Sequence, residues 1–353
     1  MWSSTLTELL GIRLPIVQAP MAGVSSPAMA IEAGRAGALG SIAVGALDVS
    51  AARSLIEAMR AATSGPFNVN LFCHKPARRR PDVERAWIER LEPEFGALEA
   101  VPPERLSEIY RSFVVDAAML AMLVDSRPPI VSFHFGLPAD DAVRALQHAG
   151  IVLIATATNL AEARAIEAAG LDAVIAQGWE AGGHRGCFDP AAPDEALGTL
   201  ALTRLLVQRT RIPIIAAGGI MDGAGIAAVL KLGAGAAQLG TAFVGCDESL
   251  ADPAYKQTLA AAAATVMTRV ISGRPARCLV NRFTLIGSGI PDAVVPDYPV
   301  AYDLGKVLNA AAKARGVHGF GAQWAGQGAP LARSLPVAAL VESLVRELTE
   351  AWE

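Results

Sequence analysis

Gln177-Gly178-Trp179-Glu180-Ala181-Gly182-Gly183-His184-Arg185-Gly186 follows the apolar run Ala173-Val174-Ile175-Ala176, which reads as a buried strand. Two later apolar runs also end in glycine clusters, Ile214-Ile215-Ala216-Ala217-Gly218-Gly219 and Ala236-Ala237-Gln238-Leu239-Gly240-Thr241. Successive strands that each open into a bare-backbone loop bring amides to where they can wrap a phosphate-bearing ligand. His184 adds a titratable group beside them. The pattern predicts a cofactor-binding α/β fold, a (β/α)8 TIM barrel, whose phosphate site follows the last two strands.

Working outward, the strand–helix alternation runs almost end to end. Strands are expected at 15–20, 39–44, 67–72, 130–135, 151–156, 171–176, 212–217 and 236–243. Most are short and apolar without alternation, as parallel strands covered on both faces should be. Between them, Asn159 caps a helical pattern that ends at Gly170, and 49–62 and 222–232 behave alike. Two segments break the rhythm. Residues 75–112, after the third strand, are rich in Arg, Glu and Pro and are expected to form extra helices. The tail from 271 to 336 reads as irregular, before an amphipathic helix over 337–352. The expected organisation is a barrel over 1–270, including the insertion 75–112, and an extension over 271–353 that completes the substrate site and closes the chain. The insertion leaves from the C-terminal end of a strand, the catalytic face of this fold, so both segments are candidate lids.

At 353 residues the chain suits one barrel with insertions. A net charge of −4 gives no basic stripe for nucleic acid. The apolar stretches are interrupted by Asp116, Asp125 or proline within helix length, so no membrane span is expected. Cys73, Cys187, Cys246 and Cys278 are scattered without metal-ligand spacing and read as reduced thiols of a cytoplasmic protein. The N-terminal Met1-Trp2-Ser3-Ser4-Thr5 has no basic region before an apolar core, so a secretory leader is not expected.

The strand ends offer amides, imidazole and backbone: Gln18 through Gly23 on the first, Asn68 and Asn70 on the third, His134 on the fourth, Gln177 on the sixth, Gln238 on the eighth. Missing are the paired carboxylates of a glycosidase and any obvious Schiff-base lysine. Only two of the five histidines lie at strand ends, so no metal site is expected. A rim of uncharged hydrogen bonders suits a large planar cofactor with its own reactivity, and flavin mononucleotide (FMN) fits. Glycine at 218, 219 and 240 lets the chain approach phosphate oxygens without a Cβ in the way, although any one of them alone reads equally as a tight turn.

At this point the chain resembles the flavin-dependent nitronate monooxygenases of class I. The resemblance spans nearly the whole chain. It rests on Gln18-Ala19-Pro20-Met21, Asn68-Val69-Asn70-Leu71-Phe72, Val131-Ser132-Phe133-His134-Phe135-Gly136, Gln177 through Gly186, Ala216-Ala217-Gly218-Gly219-Ile220, Gln238-Leu239-Gly240-Thr241 and Trp324-Ala325-Gly326-Gln327-Gly328. The histidine loop and the Gly-Gly-Ile turn are shared with related flavin barrels, so they specify FMN better than reaction. By the resemblance, Asn70, Gln177, Gly182, Gly219, Gln238, Leu239, Gly240 and Thr241 bind FMN, with Gly183 and Gly218 helping through amides and Met21 and Ala22 against the ring edge. It makes His184 and His134 catalytic and places His134, Tyr110, Tyr255, Tyr298, Tyr302 and Lys306 at the substrate. On the residues alone, His134 reads equally as a buried structural histidine, with Phe133 and Phe135 on the opposite face of its strand. Tyr298, Tyr302 and Lys306 step by four and share a face if Pro299 opens a helix, where an ordinary surface helix competes. His74, His148 and His318 are given no role.

The resulting expectation is an oxygenase that converts a nitronate, propionate 3-nitronate above all, and O2 to a carbonyl compound and nitrite, as a monomer or homodimer. The alternatives are a nicotinamide-dependent FMN reductase of the same fold and a non-catalytic flavin carrier. An IMP-dehydrogenase-like barrel lacks its cysteine flap, Cys187 being out of context.

Overall fold

The computed structural model describes residues 2–261 and 264–353. Its strands are β1 (Ile16–Gln18), β2 (Gly40–Ala43), β3 (Phe67–Phe72), β4 (Ile130–His134), β5 (Val152–Ala157), β6 (Ala173–Gln177), β7 (Gly183–His184), β8 (Ile214–Ala217), β9 (Ala236–Leu239), β10 (Thr265–Thr268) and β11 (Ala276–Leu279). Eight of them form one parallel sheet in the order β1-β9-β8-β6-β5-β4-β3-β2. A Val17–Leu39 bridge joins its edges, with Gln18 N donating to Leu39 O and Leu39 N to Ile16 O, each at 2.9 Å. The sheet therefore closes into the expected TIM barrel. The first strand is shorter than expected because Pro15 and Pro20 have no amide to pair. The last stops at Leu239, and Thr241–Val244 winds into a helical turn.

Strands that look uniformly apolar in sequence carry a strict division of faces. Val69, Leu71, Val131, Phe133, Leu153 and Ala155 point outward and pack on Ile56, Met59, Met119, Met122 and Leu123 of the helices Val49–Ala62 and Ala117–Ser126. The alternate positions Asn70, His134, Thr156, Gln177 and Gln238 face a cavity at the C-terminal mouth. The other end is plugged: Leu6 and Leu10 of the helix Thr5–Leu10 pack with Val17, Leu39, Ile130, Ile154 and Ile215. Between plug and cavity lies a buried polar layer in which Asn68 Nδ2 donates to Ser41 Oγ and Ser132 Oγ at 3.3 and 3.0 Å.

The insertion and the tail depart from expectation. The insertion forms one helix, Pro81–Ala97, and the remainder up to Ser112 holds none; Pro102 and Pro103 there lack the amides a helix needs. The tail is far more regular than expected, with β11 and the helices Arg282–Ile286 and Val300–Ala314. The two pack on each other. Trp87, Leu91 and Phe95 meet Leu304, Leu308 and Ala312 in a separate apolar cluster, and Arg80 pairs with Asp297 at 2.9 Å. Among the described residues, no helix is long and apolar enough to cross a membrane.

The expected closing helix, Val337–Trp352, buries Val337, Leu340, Val341, Leu344 and Leu348 against the barrel's outer helices. Leu344→Ala should therefore cost about 2–5 kcal/mol, read as a lower urea midpoint. Glu342→Ala, on the exposed face of the same helix, should change stability by less than about 0.5 kcal/mol.

Candidate active site

A cavity of about 460 Å³ opens at the C-terminal ends of the barrel strands. Its inner end is largely backbone. Gly218 and Gly219 take φ of 120° and 69°, in the region where a Cβ is strained, so their turn exposes amides that a bulkier residue would turn away. The amides of Gly218, Gly219 and Gly240 find no acceptor among the described residues. Met21 and Ala22 reach in from the loop after β1. Asn70 Nδ2 donates to Ser132 Oγ at 3.2 Å, and Gln238 Oε1 is buried with no donor facing it. Thr241 Oγ1 accepts from Gly326 N at 2.9 Å, which ties the Trp324–Gly328 segment to the site. Leu239 is the exception among the predicted site residues. Strand alternation turns it away from the cavity, and it packs in the outer core with Ile16 and Phe243.

His184 belongs to a strand rather than a loose loop. β7 pairs antiparallel with β11, opposing His184 to Ala276 and Gly183 to Arg277. The His184 carbonyl accepts from Gln177 Nε2 at 3.0 Å and from His134 Nε2 at 3.2 Å. Gln177 Oε1 accepts from Gly186 N at 2.7 Å, and His134 Nδ1 meets Thr156 Oγ1 at 3.0 Å. Both ends of the Gln177 amide and both nitrogens of the His134 ring are thus engaged by protein. Facing a carbonyl, His134 Nε2 must carry the proton, which leaves Nδ1 to accept from the Thr156 hydroxyl. Their side chains hold His184 in place, so His134 is a positioning residue here and not a free base.

Around His184 stand Trp324, Tyr298, Phe135 and Tyr302, with ring centroids 5.0, 5.2, 5.5 and 6.1 Å away. Phe135 was expected to share the face of Phe133. Its φ of 77° breaks the alternation and turns it into the wall with Tyr110 and Tyr298. His74, to which the sequence assigned nothing, is buried in the same wall, 5.0 Å from the Tyr298 ring. Tyr255 also lines the cavity but spends its hydroxyl on the Trp324 carbonyl. At the mouth, Pro299 precedes the helix Val300–Ala314, which carries Tyr302 and Lys306, with Tyr298 just before it. Lys306 Nζ lies 5.0 Å from the Tyr110 ring centroid and 5.5 Å from that of Tyr302. It makes no ion pair among the described residues. His148 and His318 are exposed and away from the cavity.

Burial dominates the electrostatics. It pushes His184 well below 6.5, helped by His134, Arg274 and His74. Burial likewise takes His134 down to about 4, against the pull of the His184 carbonyl. Burial and then Arg274 bring His74 to about 4. The phenols of Tyr110, Tyr298 and Tyr302 are raised by burial and stay protonated donors. Burial lowers Lys306, and Asp303 pulls it back up. Cys73, Cys187, Cys246 and Cys278 are free and buried. Among the described residues, no group of His, Cys, Asp or Glu is arranged to hold a metal ion.

A cavity at the C-terminal mouth of a TIM barrel is where enzymes of this fold carry their active site. The nitronate monooxygenase family profile matches residues 3–347, and the chain belongs to that family. It is 57% identical over 350 residues to a nitronate monooxygenase of Paraburkholderia phytofirmans, covering 99% of this chain and 96% of that one. A nitronate monooxygenase of Pseudomonas aeruginosa is 55% identical, with 97% and 98% covered. Among solved structures, a nitroalkane oxidase from Streptomyces ansochromogenes superposes with a TM-score of 0.90 at 43% identity, covering 99% of both chains. FabK from Thermotoga maritima gives 0.73 at 28% identity, with 99% and 97% covered.

The neutral histidines make a prediction about stability. His74 and His134 bind protons less readily when folded, so between pH 6.5 and about 4 the unfolded chain holds more protons. Their contribution is complete above pH 6.5 and is lost as pH falls through about 4. The slope should reach about 1.4 kcal/mol per pH unit for each such histidine. Urea midpoints at pH 7.5, 5.5 and 4.5 should fall accordingly, and His134→Gln should flatten the dependence by one proton.

Proposed function

We propose that this enzyme is an FMN-dependent nitronate monooxygenase that takes propionate 3-nitronate in preference to simple alkyl nitronates, and with O2 forms a carbonyl compound and nitrite. One observation carries the substrate reading: a lysine that makes no ion pair among the described residues stands among tyrosines at the mouth of a cavity whose wall is a neutral histidine.

The residues suit FMN. The free amides of Gly218, Gly219 and Gly240 form one end, fit for a phosphate. Gln238 Oε1 is buried and, among the described residues, meets no donor; as an acceptor it suits a ring N–H of a flavin. Asn70, Met21 and Ala22 would border the ring. When bound, FMN supplies the electron acceptor for nitronate oxidation and the route of those electrons to O2.

The chain's own residues bind and orient. Lys306 would take the remote carboxylate in a charge-assisted hydrogen bond, with Tyr110, Tyr298 and Tyr302 as neutral donors beside it. Trp324 and these rings exclude water and strengthen each polar contact within. A nitronate arrives already deprotonated, so His184 has no proton to remove from it. An uncharged imidazole at neutral pH can instead hold the nitronate by a hydrogen bond.

Heating the purified protein should release FMN into the supernatant; FAD, or a colourless protein that takes up no FMN, would remove the basis of this reading. Anaerobic mixing with propionate 3-nitronate should change the flavin spectrum rapidly, while NADH should leave it unchanged. The reverse pattern would identify a nicotinamide-dependent reductase instead.

Lys306→Met keeps the length of the side chain and removes its charge. It should raise the KM for propionate 3-nitronate on the order of ten- to a hundred-fold, the usual worth of a charge-assisted hydrogen bond. Ethyl nitronate, which has no carboxylate, should be nearly indifferent. Equal losses on both substrates would assign Lys306 to the fold or the cofactor.

A further inference from the structure

The turn Ser272-Gly273-Arg274 contains none of the sequence-predicted site residues, yet it lies directly behind His184. Ser272 is fully buried, and its Oγ is 2.9 Å from His184 Nε2, 3.2 Å from the Arg274 carbonyl oxygen and 3.4 Å from the Arg274 amide nitrogen. The turn cannot retreat. Gly273 has φ 90°, and a Cβ there would collide with Pro296 O and Tyr298 N, so the backbone is wedged against the segment that carries Tyr298. On its other flank the Arg274 guanidinium lies 4.2 Å from the Phe135 ring centroid and donates to the Cys187 carbonyl.

His184 therefore has two unlike nitrogens. Nε2 faces the Ser272 hydroxyl; among the described residues Nδ1 has no partner, and it is not a buried unpaired polar atom, so it opens on the cavity that His184 lines. Nitronate oxygens only accept hydrogen bonds, so Nδ1 can meet one only while carrying a proton. In a neutral ring that leaves a lone pair on Nε2, and the group opposite must donate. Among the described residues the group opposite is Ser272, whose own acceptor side is met by the Arg274 N–H.

We infer that Ser272 is a positioning residue for His184: its hydroxyl donates to Nε2 and so keeps the imidazole proton on Nδ1, the nitrogen presented to the substrate. Turning the hydroxyl to the Arg274 carbonyl instead, with the same number of protons, would place the proton on Nε2 and aim a lone pair at the anion. Rotation of one buried hydroxyl thus decides whether the site attracts a nitronate or repels it. Burial and the nearby Arg274 charge hold the ring uncharged, which is the condition under which this choice exists.

The kinetic part of the test rests on the nitronate reading; the spectroscopic part does not. In protein labelled with 15N-histidine, His184 should show a protonated Nδ1 and an unprotonated Nε2, and Ser272→Ala should abolish that preference. Ser272→Ala should also lower kcat/KM roughly three- to ten-fold, the worth of one neutral hydrogen bond, and equally for ethyl nitronate and propionate 3-nitronate. Ser272→Thr, which restores a hydroxyl, should recover both readouts. Ser272→Cys, close in size with a weak donor, serves where the alanine variant does not fold and should behave like it. A wild-type spectrum with the proton on Nε2, alanine or cysteine variants equal to wild type, or a threonine variant as poor as alanine would each overturn the inference. Should the wild-type enzyme turn over no nitronate, the functional reading fails while the spectrum still decides the role of Ser272.

Discussion

The His184 carbonyl, held at once by the Gln177 and His134 side chains, is the contact on which the rest of the site depends. A parallel barrel leaves the chain free to wander once it passes the end of a strand, and here residues 178–182 separate β6 from β7. Side-chain donors from two barrel strands fasten that loop to the rim from below. From above, β11 pairs with Gly183 and His184, so the extension borrows its register from the barrel. Arg185 completes the clamp with a two-point contact to Asp194 at 2.7 and 3.0 Å and a bond to the Gln177 carbonyl at 2.5 Å. Loss of the fastening would free the histidine and loosen the small sheet together.

This arrangement has an electrostatic consequence. Three histidines and a buried guanidinium share one aromatic wall, and burial keeps the imidazoles uncharged. Among the described residues Arg274 pairs with no carboxylate; its contacts are the face of Phe135 and the Cys187 carbonyl. A charge so placed is costly, and the Cys187 carbonyl and the face of the Phe135 ring offset part of its lost hydration. The unusual φ of Phe135 is part of the same construction, since its ring lies against the guanidinium and packs with Tyr110 and Tyr298.

The insertion and the extension divide the work differently from the barrel. The barrel supplies backbone amides, Asn70 and Gln238, which suit a cofactor. The phenols of Tyr110, Tyr298 and Tyr302 and the Lys306 ammonium come from segments that pack mainly on each other through Trp87, Phe95, Leu304 and Leu308. Segments with their own apolar core can vary the side chains they present to the cavity without disturbing the barrel beneath.

Much of this is legible in the chain itself. Short apolar runs ending in glycine specify parallel strands and open turns, because burial on both faces and an unhindered amide each demand particular residue types. Residue type and position at the strand ends therefore single out Asn70, His134, His184, Gly218, Gly219 and Gln238, and all of them line the cavity. Leu239 falls within the same motif, yet its side chain turns to the core, since one residue of strand alternation separates cavity from core. What the sequence does not show is pairing between distant segments. Nothing local marks Ala276 as the partner of His184, Ser272 as the neighbour of its ring, or Arg274 as the charge behind Phe135, because each pair is far apart along the chain. The roles of His134 and Gln177 are likewise decided by tertiary structure. A side chain that can bind a ligand can equally bind a carbonyl, and which it does depends on what folding brings within about 3 Å.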